Sequence, residues 1–284
     1  MASQLSDAQW DILINKKVAE VLERISASQR PVHDAPLASI ASPNDPRFPL
    51  AIDHTLLKQD ATPAQIDVLC DEAIAYDFKS CCVNGIYAEQ VARRLKEAEG
   101  SSTIVCCVVG FPLGAGSAAS KALWVFLCNV SGAAEAKQAI EHGALEIDTV
   151  LPLGLLLSNP PRYAALYEHL HTIITAAAPV PVKVILETSL IPSRELKIAA
   201  SLISADAGAA FVKTSTGFAG GGATKEDVRL MYETVKDKGV KVKASGGVRS
   251  FEACKDMFEA GAERIGTSSG VSLVKNASVG AGAY

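Results

Sequence analysis

The chain has 284 residues, 49% of them hydrophobic and 20% charged, with a formal net charge of −4 and a pI near 5.8. This composition suits a soluble globular protein with a sizeable core, in one or two domains, and a single α/β barrel of ~250 residues is within reach. The acidic balance argues against a nucleic-acid partner. No apolar run approaches the about 18 residues that span a bilayer, and no basic-then-apolar leader opens the chain, so a cytoplasmic protein without a membrane partner is expected.

Residues Leu5 to Ile25 carry a helical pattern, with apolar positions at Trp10, Ile14, Val18 and Val21 or Leu22. Ser26 to Pro49 is rich in Pro, Ser, Asp and Ala and reads as an irregular extension packed on the main domain. The expected division is therefore a helix and extension over 1–49 and a barrel over 50–284. From residue 50 eight strand-like runs recur: Leu50–Thr55, Lys79–Val83, Thr103–Phe111, Leu145–Leu151, Val182–Glu187, Phe211–Thr216, Val240–Ser245 and Arg264–Thr267. Helical patterns separate them. Thr62-Pro63 is an N-cap with proline in the first turn, followed by the stripe Ile66, Leu69, Cys70 and Ala73. Ser193 caps a helix with Leu196, Ala199, Ala200 and Ile203 inward, and Thr224 caps one with Val228, Met231 and Val235 inward. Gly143, Gly208, Gly239 and Gly261 stand where helices should end. Eight alternating units predict a parallel (β/α)₈ TIM barrel, with a doubly wound open sheet as the alternative.

The seven cysteines include the adjacent pairs Cys81-Cys82 and Cys106-Cys107 in strand-like runs, where neighbours point to opposite faces. Buried reduced thiols are expected. Without a C-x-x-C, a zinc site has little support.

The chemistry gathers at strand ends, where a barrel keeps its active site. Lys213, in Phe-Val-Lys-Thr-Ser-Thr-Gly, and Lys243, in Lys-Val-Lys-Ala-Ser-Gly-Gly, sit near the ends of the sixth and seventh runs. An ammonium in an apolar strand loses hydration, and burial or a second positive charge lowers a lysine pKa. Such a lysine can attack a carbonyl as a free amine. Asp148 on the fourth run could shuttle protons beside them, with Glu146 read as one step out of phase. Asp53 is a similar carboxylate on the first run. Gly217, Gly246-Gly247 and Ser268-Ser269 supply small residues whose backbone could receive a phosphate, with Arg249 as an added charge. A phosphosugar isomerase or epimerase would need a carboxylate pair or a Glu/His base here. A non-catalytic binding protein is the other alternative.

These segments resemble the 2-deoxyribose-5-phosphate aldolase family of class I aldolases. The resemblance lies in Ile52-Asp-His-Thr-Leu-Leu-Lys58, Cys82-Val-Asn84, Val109-Gly-Phe-Pro-Leu-Gly114, Glu146-Ile-Asp148, Val212-Lys-Thr-Ser-Thr-Gly217, Val242-Lys-Ala-Ser-Gly-Gly-Val-Arg249 and Gly266-Thr-Ser-Ser-Gly270, in family order. It implies a metal-free, cofactor-free barrel cleaving 2-deoxy-D-ribose 5-phosphate to acetaldehyde and D-glyceraldehyde 3-phosphate. It implies Lys213 as the Schiff-base lysine, Lys243 as the lysine that perturbs it, and Asp148 in the proton relay. Asp53, Thr55, Cys82, Thr216, Gly217, Gly246, Gly247, Arg249, Ser268 and Ser269 would line the substrate site, and Tyr284 would end a tail that reaches it. A homodimer or larger homo-oligomer is implied. One departure stands out: an apolar stretch near Ala122–Gly132 interrupts the family register after the third run. It reads as an extended helix or subunit interface, or as a product of transcript processing.

Overall fold

The structure is a computed structural model and describes residues 5–27, 35–116 and 132–276. Eight parallel strands close into a barrel in chain order: β1 (Ile52–Leu56), β2 (Ser80–Asn84), β3 (Ile104–Val109), β4 (Glu146–Val150), β5 (Val182–Ile185), β6 (Phe211–Lys213), β7 (Lys241–Ser245) and β8 (Arg264–Thr267). The β1–β8 ladder, pairing Asp53 with Gly266, completes the ring and rules out the open sheet. Every run expected as a strand forms one. Their ends shift by a few residues: β1 and β2 each run one residue further toward the mouth, β7 and β8 end where expected, and the other four stop earlier.

Ten α-helices are described: α1 (Asp7–Ala27), α2 (Pro63–Ala75), α3 (Ala88–Glu97), α4 (Gly132–Glu141), α5 (Leu153–Leu156), α6 (Tyr163–Ala177), α7 (Arg194–Asp206), α8 (Lys225–Val235), α9 (Phe251–Glu259) and α10 (Gly270–Val274). Thr62 closes a capping box with Gln65 at the start of α2, and Ile66, Leu69, Cys70 and Ala73 form its buried face. Ser193, Thr224 and Ser250 cap α7, α8 and α9 through their side chains. Gly143 follows α4 with φ +94°, and a Cβ there would meet that of Ala92 at 2.7 Å. Only glycine meets both demands.

Strand side chains alternate between two environments. Val83, Val105, Ile147, Val184, Val212, Val242 and Ile265 face outward into the shared core under the helices. The paired cysteines split as alternation requires: Cys81 and Cys107 join that outer core, while Cys82 and Cys106 pack inside with Leu57 and Val108. The six described cysteines are free and buried, and Cys128 lies outside the described residues.

Helix α1 lies on the outside of the barrel across α6, α7 and α8. Val21, rather than Leu22, completes its buried stripe, meeting Ile198 and Leu230. Trp10 packs on Tyr167 with ring centroids 5.6 Å apart, and Asp7 accepts a hydrogen bond from the Ala164 N–H. Because α1 covers it, α7 is buried on two sides. Ile198 and Leu202 are buried along with the expected Ala199, Ala200 and Ile203, whereas Leu196 in the first turn is only half-buried. Among the described residues no helix is long and apolar enough to cross a membrane. The apolar stretch, apart from Gly132, and Tyr284 lie outside the described residues.

Trp10 is 2% exposed, so Trp10→Ala leaves a cavity beneath α1. The expected loss is about 3 kcal/mol of unfolding free energy, read as a lower urea midpoint at an unchanged slope.

Candidate active site

The inner face of the barrel is charged at its centre. Strand pairing sets Lys213 directly beside Lys243, and Asp148 directly beside Lys183. All four side chains are buried. Asp148 Oδ2 accepts from Lys213 Nζ at 2.9 Å and from Lys243 Nζ at 2.8 Å. Its other oxygen accepts from Lys183 Nζ at 2.7 Å and from the Cys106 thiol at 3.2 Å. Lys243 also reaches Asp53 Oδ2 at 2.5 Å, and Lys183 reaches Glu146 Oε2 at 2.8 Å. Arg264 closes the group, bonding Asp53 at 2.6 Å and Glu146 at 2.9 Å. Below it the Phe211 ring lies 5.2 Å from the guanidinium carbon of Arg264.

Burial alone would neutralise these acids and bases, yet the ion pairs outweigh it. Burial raises the Asp148 carboxyl, but Lys183, Lys213 and Lys243 hold it well below the usual carboxylate range. Asp53 is held down against burial by Arg264, Lys243 and Lys183, and Glu146 by Lys183 and Arg264. Burial works against the Lys243 ammonium, but Asp148 and Asp53 push it above the ordinary lysine value. Lys183 is raised likewise, chiefly by Asp148.

Gly266 makes room for this arrangement. A Cβ there would lie 2.9 Å from Lys243 Cε and 3.1 Å from Ser245 Cβ. The Lys243 stem crosses the barrel over the bare backbone of β8.

Lys213, Lys243 and Asp148 thus come together as the sequence suggests, and Asp53 joins them below the mouth, in ion pairs and accepting from the Ser80 hydroxyl at 2.7 Å. Three members of the group were not singled out. Lys183 carries the same signal as the other two lysines, a charge in the apolar run Val-Lys-Val-Ile. Glu146, read as out of phase, is two residues from Asp148 and so points to the same inner face, where it holds Lys183 and Arg264. Arg264 opens a strand, where a charge ordinarily reaches solvent.

The remaining expected residues ring the mouth. Thr55 donates from its hydroxyl to the Asp53 carbonyl. Cys82 is buried beside Cys106. Gly217, Gly246 and Gly247 have φ of +88°, +83° and +76°, which glycine adopts without strain. Gly246 also abuts Gly222, whose Cβ would lie 2.5 Å from the Gly246 carbonyl oxygen. Arg249 is half-buried, with no hydrogen-bond partner for its Nε among the described residues. Ser269 is buried, its N–H on the Thr267 hydroxyl, and Ser268 lines a small cleft with Thr55, Leu57, Lys58 and Phe218. Thr216 hydrogen-bonds the Glu187 carboxylate, a partner the sequence reading did not propose.

The thiols of Cys82 and Cys106 and an Asp148 oxygen lie within 4.8 Å of one another, a spacing that could hold a cation. Three lysine amines already contact Asp148, so a metal ion there would face their repulsion. What the geometry provides instead is amines sharing a buried carboxylate, a setting for carbonyl chemistry through an imine.

Known proteins agree with this architecture. A family model described as DeoC/LacD family aldolase matches residues 48–278. The chain is 48% identical over 224 residues to a deoxyribose-phosphate aldolase of Staphylococcus carnosus, covering 79% of this chain and 94% of that one. With its counterpart in Finegoldia magna it shares 50% over 224 residues, covering 79% and 97%. The crystal structure of a candidate deoxyribose-phosphate aldolase from Coccidioides immitis superimposes with a TM-score of 0.80 at 37% identity, covering 97% of this chain and 98% of that one. A tetrameric deoxyribose phosphate aldolase from Aeropyrum pernix matches with a TM-score of 0.69 at 29% identity, covering 90% and 96%. With this barrel, this cluster and a match over most of its length, the chain belongs to the DeoC/LacD family of aldolases.

Proposed function

We propose that this protein is a class I deoxyribose-phosphate aldolase, reversibly cleaving 2-deoxy-D-ribose 5-phosphate to acetaldehyde and D-glyceraldehyde 3-phosphate. The observation that carries the reading is the charge balance inside the barrel. Asp53, Glu146 and Asp148 are matched in number by Lys183, Lys243 and Arg264. Lys213 is the amine left over, and among the described residues Asp148 is its one carboxylate contact.

In this reading Lys213 attacks the aldehyde carbon of the open-chain sugar, and loss of water gives a protonated imine. The bond between C2 and C3 breaks as the 3-hydroxyl loses its proton, and its electrons move into the imine to form an enamine. D-Glyceraldehyde 3-phosphate leaves. The enamine takes a proton on carbon, and water releases acetaldehyde and the free amine. Asp148 carries protons between these steps, while Lys243 remains the fixed positive charge of the pair. Gly217, Gly246, Gly247, Ser268, Ser269 and Arg249 receive the phosphate, and Thr55, Cys82 and Thr216 border the sugar chain. Asp53, Glu146 and Asp148 are each tied to a cation and the Glu187 carboxylate is bonded by Thr216, which disfavours the isomerase alternative, where a carboxylate would act as a free base. We also propose a cytoplasmic homo-oligomer, a state supported by the tetrameric Aeropyrum relative.

Borohydride reduction in the presence of acetaldehyde should add a reduced two-carbon adduct at Lys213. Peptide mass mapping that finds the adduct elsewhere, or none, removes Lys213 from its role. Gly266→Ala should displace the Lys243 amine and lower kcat by about 10²-fold, with KM less affected, as steady-state kinetics would show.

The ion pairs also set a pH range. Asp53, Glu146 and Asp148 titrate below their unfolded values, so the stability they contribute is present above pH ~5 and lost as pH falls through the ordinary carboxylate range. Lys183 and Lys243 titrate above theirs, so their contribution is full below pH ~10 and lost above it. Urea midpoints should form a plateau between these limits. A midpoint unchanged down to pH 3 would contradict buried, ionised carboxylates.

A further inference from the structure

Glu187 follows β5 at the barrel mouth with φ 56° and ψ 59°, a left-handed conformation that a glutamate rarely adopts and that its surroundings must impose. Its side chain is 3% exposed, and it has no ion-pair partner among the described residues. Both donors to its carboxylate come from Thr216. The Thr216 N–H reaches Oε2 at 3.1 Å and Oε1 at 3.3 Å, and the Thr216 hydroxyl bonds Oε2. A buried carboxylate in a strained backbone, spent on one residue of the next loop, calls for an explanation beyond stability.

The backbone shows what the strain achieves. On either side of Glu187 the β5–β6 ladder continues: Leu186 N–H donates to the Lys213 carbonyl at 2.8 Å and Thr188 N–H to the Thr214 carbonyl at 3.0 Å. The left-handed turn sets the carboxylate against the segment just beyond Lys213. The Thr216 hydroxyl in turn accepts from the Phe218 N–H at 3.1 Å. Phe218 stacks edge-on with Phe111, ring centroids 5.3 Å apart, and lines the cleft shared with Thr55, Lys58 and Ser268. The same loop then lays Gly221 on Ser189 and Gly222 on Gly246, and the Ala223 N–H donates to the Gly246 carbonyl at 3.0 Å.

We propose that Glu187 is a positioning residue: through Thr216 it fixes the loop after β6, and so sets the part of the mouth that receives the phosphorylated end of the substrate. This rests on the aldolase reading above. Lys213 and Asp148 belong to a separate hydrogen-bond group deeper in the barrel, so removing Glu187 should loosen binding of the distal end and leave imine chemistry intact.

The test compares wild type with Glu187→Gln and Glu187→Ala. Glutamine keeps the shape but removes the charge that strengthens both Thr216 bonds and replaces one oxygen with a donating amide. For 2-deoxy-D-ribose 5-phosphate, KM should rise at least about tenfold in both, with kcat within about threefold. Borohydride trapping of acetaldehyde, which has no distal end, should proceed at the wild-type rate. Should these variants fail to fold, Glu187→Asp, which tolerates the left-handed backbone but falls short of Thr216, should raise KM in the same direction. An unchanged KM, or trapping that falls in parallel with kcat, overturns the proposal while leaving the aldolase reading in place. A wild-type protein that cleaves no 2-deoxy-D-ribose 5-phosphate overturns both.

Discussion

One carboxylate organises the interior. Asp148 is wholly buried and accepts from three lysines, two of them on a single oxygen. Taking such charges out of water costs several kcal/mol per ion, and mutual attraction offsets this only when partners sit at hydrogen-bond distance and lone pairs are filled. Asp53, Glu146 and Arg264 meet that condition by extending the contacts across the barrel. The cluster is therefore a cooperative unit. Loss of one member leaves an uncompensated buried charge in the others.

The rest of the fold serves that geometry. Parallel pairing puts Lys213 beside Lys243 and Asp148 beside Lys183, and the Asp148 carboxylate joins the two pairs by accepting from all three lysines. The helices bury the outer faces of the strands and hold the register in place. Gly266 leaves space for a lysine to cross, and the glycine-rich loop after β6 lets three neighbouring strand ends converge at the mouth. Helix α1 adds a further layer outside α6, α7 and α8, remote from the charged centre.

Much of this was legible in the residues. Alternation and capping signals marked all eight strands and the starts of α2, α7 and α8, because those rules are local. Lys213, Lys243 and Asp148 stood out as charges in apolar runs. Lys183 bore the same mark and was missed for want of a glycine and hydroxyl tail like those after Lys213 and Lys243. Arg264 and Glu146 were missed for a different reason. Arg264 opens its strand, where a charge ordinarily meets solvent, and Glu146 was set out of phase with Asp148 although it stands two residues away; only barrel closure turns them on each other. Glu187 could not be found locally at all, since its meaning depends on a left-handed turn and on Thr216, 29 positions away.

The floor of the barrel has a consequence of its own. The Phe211 ring lies 5.8 Å from the amine of exposed Lys241 and 6.0 Å from that of buried Lys183, and so separates the cluster from solvent at the lower end. The charged group is thus closed beneath by an aromatic ring as well as by its own ion pairs. Lys213 stands two residues above Phe211 on the same strand, so under the proposed imine chemistry a fragment joined to it would have the floor beneath it and the mouth ahead of it.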